Sequence, residues 1–138
     1  MNGALSMPAF LLVSIALGAI LVYLPFLVVG YGRFKLGYDP SAPRAMLTQL
    51  PAYAQRATWA HENAFESLIL FAPAALMAYV TGQTSGLALA AAVAYLLART
   101  LYPVFYILDL PVLRSLMFGL ANLGTFTLYF LSCRTALM

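Results

Sequence analysis

Nine side chains in this sequence carry the groups needed to grip and ionise a small polar ligand: His61, Glu62, Asn63, Glu66, Arg99, Tyr102, Tyr106, Asp109 and Arg114. Asn63 and Glu66 are three residues apart, a spacing that puts them on one helical face, and Arg99, Tyr102 and Tyr106 follow an i, i+3, i+7 stripe. Arginines grip carboxylates bidentately, a glutamate holds an ammonium, and tyrosines supply hydroxyl donors. Two such stripes brought together suit a small zwitterionic peptide. Arg114 falls where a helix is expected to begin, beside free backbone N–H groups and the positive end of the helix dipole, a corner that favours an anion or a thiolate.

The elements that must position these groups are set by composition. Of the 138 residues, 64% are hydrophobic and 8% charged, with a mean hydropathy of +0.91, far from the roughly 25% charged content of soluble domains. Lipid is the expected solvent. A crossing takes about 20 apolar residues, so residues 1–138 form one transmembrane domain of four spans, at about 8–30, 58–80, 86–106 and 112–131, with one long polar loop at about 33–56. Pro25 is expected to kink the first span, and Pro51 suits the first turn of a second helix that runs through Arg56, Trp59 and Glu66 before its apolar part. The first charged side chain is Arg33, and the apolar run before it is too long for a signal peptide, so the first helix should be retained.

Cation placement predicts orientation. The first loop holds Arg33, Lys35, Arg44 and Arg56, and the second holds no charge, so the first loop should be cytosolic and both termini non-cytosolic. The nine polar side chains then gather near the cytosolic ends of helices two to four. Ionisable groups at membrane depth face a partner or a wet cavity, and spacing alone leaves open a structural network, a ligand or catalytic site, and a transport path. The outer half of the helices lacks the polar residues that would continue a path, which disfavours transport. A net charge of +3 spread over a few cations gives no nucleic-acid footprint. His61 has no neighbouring second ligand for a metal and reads as a surface or hydrogen-bonded histidine. Trp59 and Tyr53 read as interface anchors, and the single Cys133 as packing.

The run Arg56-Ala57-Thr58-Trp59-Ala60-His61-Glu62-Asn63-Ala64-Phe65-Glu66, followed by Arg99-Thr100-Leu101-Tyr102-Pro103-Val104-Phe105-Tyr106 and by Arg114-Ser115, resembles the MAPEG proteins, the membrane-associated proteins of eicosanoid and glutathione metabolism. The N-x-x-E of the second helix joined to R-x-x-Y-x-x-x-Y of the third is the specific part, and the resemblance spans essentially the whole chain. It implies an all-α, four-helix transmembrane bundle assembling as a homotrimer, with sites at subunit interfaces near the cytosolic side and glutathione as co-substrate. By position it implies that Asn63, Glu66, Arg99, Tyr102, Tyr106 and Ser115 contact glutathione, that Arg33 reaches into a neighbouring site, and that Arg114 stabilises the thiolate. Trp59 and Glu62 stand where several glutathione-using members have arginines, and Phe118 stands for a tyrosine. The implied activity is a glutathione transferase or peroxidase acting on hydrophobic electrophiles from the bilayer. The alternative is a non-catalytic membrane protein that binds lipid or a partner through the same cluster.

Overall fold

A computed structural model describes residues 6–138. Apolar residues run without a charge until Arg33, and α1 spans Met7–Leu36, with a proline in its first turn and Arg33 and Lys35 in its last, where cations complement the helix dipole. Gly37, at φ 89°, ends it. Helix α1 is longer than the expected span and runs unbroken through Pro25 and through both glycines near its end. The second of these, Gly32, lies where an added Cβ would come within 2.8 Å of the Ala54 Cβ, so it serves close helix contact and does not break the helix. Arg33 therefore stands on the last turn of α1 and not at the head of the loop.

The connection contains a 3-10 helix at Ala45–Gln49, and α2 then spans Ala52–Val80, with Pro51 as its N-cap residue. Helix α3 spans Gly86–Ile107, and its N-cap Ser85 accepts a hydrogen bond from the Ala88 N–H at 3.2 Å. Helix α4 spans Pro111–Ala136. All four are long and apolar enough to cross a membrane, and the protein is an integral, multi-pass membrane bundle. At about 1.5 Å per residue, α1 and α2 exceed a hydrocarbon core of roughly 30 Å by about two to three turns.

Alternating helix directions put the α1–α2 loop and the α3–α4 turn at one end of the bundle. Every charged side chain but two lies in that half of the bundle: Glu66 stands at the middle of α2, and Arg134 is at the far end. The helices approach closely because their contact faces are small: Ala54, Ala57, Ala60, Ala74, Ala75 and Ala78 on α2 and Ala88, Ala92 and Ala98 on α3 are fully buried. Gly124 on α4 is the tightest point, where an added Cβ would lie 2.5 Å from the Ala91 carbonyl oxygen. Tyr95 and Phe71 stack with ring centroids 3.5 Å apart and planes within 2°. At the far end, Gln83 donates to the Thr135 hydroxyl at 2.8 Å and to the Leu131 carbonyl at 3.3 Å, tying the α2–α3 turn to α4. Cys133 is exposed: the inward positions on that part of α4 are Leu128, Leu131 and Ser132, so helical periodicity turns the thiol outward.

Candidate functional site

The two stripes meet where α2, α3 and α4 converge at the charged end. The Asn63 carbonyl oxygen accepts from Arg99 Nη1 at 3.1 Å, and its amide donates to Glu66 Oε2 at 3.1 Å. Arg99 is 4% exposed and lies over the Tyr102 ring, 4.4 Å from the centroid. Its Nη2 is buried with no partner among the described residues, a donor in want of an acceptor. Tyr102 meets Tyr106 edge to face at 5.6 Å. The Arg114 guanidinium covers the Tyr106 ring at 4.7 Å. The chain of contacts from Glu66 through Asn63, Arg99, Tyr102 and Tyr106 to Arg114 is thus continuous.

A cavity of about 280 Å³ opens beside it, lined by Tyr102, Tyr106, Arg114, Ser115 and Phe118. A second, of about 150 Å³, shares Tyr106 and Arg114 and adds Trp59, Arg56 and Asp109 among its walls. Trp59, expected as an interface anchor, approaches the Tyr106 ring at 6.4 Å. The α3–α4 corner that aims Arg114 is held from α2: Arg56 Nε donates to the Ile107 carbonyl at 3.1 Å, and its Nη1 lies 3.7 Å from Asp109 Oδ2. Asp109 turns the chain at φ 61°. Residue types and spacing along one helix gave no sign of this clamp, because its partners are 51 and more residues apart.

The start of α4 is less rich in free donors than the sequence suggests. Pro111 has no N–H, and the Arg114 N–H bonds to the Leu110 carbonyl at 3.0 Å, leaving Val112 and Leu113 as the donors of the first turn. The side-chain cation of Arg114 is therefore the main positive feature facing the cavity.

Arg33 is not brought to this cluster. It lines a cavity of about 590 Å³ between α1, the loop and α2, with Arg44, His61, Glu62, Phe26 and Phe65 among the other walls. Its guanidinium lies 5.9 Å from the Phe26 centroid, and its Nε is buried without a partner among the described residues. His61 is hydrogen-bonded as expected, its Nδ1 lying 2.7 Å from the Val22 carbonyl oxygen of α1. Helix geometry separates this cavity from the Asn63–Arg99 cluster, because residues 61 and 63 project about 200° apart around α2. Among the described residues no group of three histidine, cysteine or acidic side chains could hold a metal ion.

The model of one protein family, described as MAPEG family, matches residues 10–134. No curated protein and no solved structure matches the chain.

Proposed function

The chain belongs to the MAPEG family, a premise from which we propose a glutathione-dependent membrane transferase or peroxidase that activates a thiol against hydrophobic electrophiles dissolved in the bilayer. The observation that carries the reading is the unbroken line from Glu66 to Arg114 with a cavity at its cationic end. In this reading Glu66 takes the ammonium end of glutathione. Arg99 gives its free Nη2 to a carboxylate, while Asn63, Tyr102, Tyr106 and Ser115 fix the peptide between them. Arg114 stabilises the thiolate, which is the reactive form of a group with an unperturbed pKa of about 8.5. Phe118, on the cavity wall and 46% exposed, offers an apolar side from which an electrophile arrives out of the lipid.

The placement of Arg33 in a separate cavity on the α1 side supports a homotrimer in which it serves the site of a neighbouring subunit. The position of the charged end, with its cationic first loop, supports a site near the cytosolic face.

A second reading, a non-catalytic membrane protein that holds lipid or a partner, draws on the two Asn63 hydrogen bonds, which close part of the cluster on itself. Titration of the purified protein in nanodiscs with glutathione separates the two. Saturable binding with conjugation of an activated aryl halide supports the enzyme, and no binding at millimolar glutathione supports the second reading.

A further inference from the structure

The proposed reaction sheds one proton per turnover. The cavity beside Arg114 is lined by Tyr102, Tyr106, Ser115 and Phe118, none of which offers a neutral base, and Asp109 in the adjoining cavity faces the Arg56 guanidinium at 3.7 Å. An arginine stabilises a thiolate but has no lone pair for its proton, and a tyrosine hydroxyl at neutral pH is already protonated. Glu66 receives the Asn63 amide and is reserved, in the proposed reading, for the ammonium end of glutathione. The chain has a single histidine, the side chain whose charge most readily changes between about pH 5 and 8.

His61 is built as an acceptor. The Val22 carbonyl can only accept a hydrogen bond, so the Nδ1 that lies 2.7 Å from it carries the proton, and the lone pair of the neutral ring is on Nε2. Phe26 and Phe65 hold the ring at 4.9 and 5.1 Å between centroids, and Tyr23 lies at 5.8 Å. Nε2 has no hydrogen-bond partner among the described residues. The ring lines the same cavity as Arg33, and the charged groups facing it are Arg33 from α1, Arg44 from the loop and Glu62 from α2, with the Tyr23 hydroxyl as the further titratable group.

We propose that His61 is the proton acceptor for the thiol bound at the Arg114 cavity of an adjoining copy of the chain. The inference rests on the proposed glutathione-dependent activity. His61 faces α1 and Asn63 faces Arg99, so one copy does not bring its own imidazole to its own Arg114 cavity, and the imidazole that serves it is an adjoining copy's, from the cavity that His61 shares with Arg33. The S–H bond breaks with its electron pair left on sulfur and its proton on Nε2. The sulfur pair then forms the bond to the electrophilic carbon as the bond to the leaving group breaks, and the imidazolium releases its proton to the leaving group or to water. Arg114 lowers the energy of the thiolate, and His61 removes the proton.

His61→Asn is the informative variant, because an asparagine amide keeps a donor near the Nδ1 position for the Val22 carbonyl and has no basic nitrogen in place of Nε2. Glutathione binding should stay within about threefold of wild type, while conjugation near pH 6.5 falls by roughly tenfold to a hundredfold. The deficit should close as pH rises past the pKa of the thiol, where water suffices as acceptor. Co-assembling His61→Asn chains with Arg114→Ala chains should restore activity above either variant alone, because in a mixed trimer about one interface in three joins an intact Arg114 to an intact His61. An active wild type whose pH profile is unchanged in His61→Asn, or mixed assemblies no better than their parents, would overturn the role of His61 and leave the proposed activity standing. A wild type that neither binds nor conjugates glutathione would remove both.

Discussion

Gly124→Ala tests whether the α3–α4 contact positions the site. The added Cβ would sit 2.5 Å from the Ala91 carbonyl oxygen and 3.5 Å from the Tyr95 backbone nitrogen. Both are backbone atoms of α3, so no side chain can rotate aside. Restoring ordinary van der Waals contact with the oxygen requires the helices to part by about 0.9 Å. Overpacking of this kind costs about 1–3 kcal/mol, set against the roughly 0.5–1 kcal/mol that alanine gains over glycine within a helix. The net expectation is a loss of about 0–2.5 kcal/mol, centred near 1 kcal/mol. The effect should reach the site, because Arg114 on α4 lies over Tyr106 on α3, and a displacement near 1 Å in a catalytic constellation costs up to about 100-fold in rate. Gly119→Ala is the control on the same helix, since its added Cβ meets nothing within 4 Å. Unfolding by a denaturing detergent, followed by the fluorescence of the single Trp59, reads stability, and conjugation of an aryl halide reads the site. Equal stability for the Gly124→Ala and Gly119→Ala proteins would refute the argument that this contact sets the helix spacing.

Arg114→Ala should raise the pKa of bound glutathione's thiol and slow conjugation near neutral pH by about tenfold for each pH unit of that rise, about 1.4 kcal/mol apiece. Arg99→Ala should instead weaken glutathione binding first; thiolate ultraviolet absorbance against pH checks both, and an unchanged thiol pKa in Arg114→Ala removes Arg114 from the mechanism. Cysteines introduced by Ser41→Cys and Ser85→Cys, in a Cys133→Ser background, should label from opposite sides of the membrane with position 41 cytosolic. The reverse labelling overturns the orientation. Native mass measurement in a mild detergent or nanodisc should give three copies, whereas a stable monomer with full activity excludes the homotrimer and the interfacial site together.

Composition and apolar run length determine the membrane class and the number of helices, because the hydrocarbon thickness fixes how many apolar residues a crossing consumes. Helical periodicity likewise determines that Asn63 pairs in direction with Glu66, and Arg99 with Tyr102 and Tyr106, since these are relations within one helix. Residue type marks Arg114 as a permanent cation, whatever surrounds it. Which face of α2 turns toward α3 and which toward α1 is a different matter: it follows from how the alanine faces of α2 and α3 nest with the Ser14, Gly18 and Gly32 face of α1, a property of no single segment. That nesting joins Asn63 to Arg99, sends His61 to the Val22 carbonyl, and leaves Arg33 in a cavity apart from Arg114. It also lets α1 continue helically past Gly30 and Gly32, because the contact with Ala54 supplies the packing that offsets the weak helical preference of glycine. The Arg56 clamp on Ile107 and Asp109 has the same origin, a long side chain reaching a carbonyl that only the assembled α3–α4 corner presents.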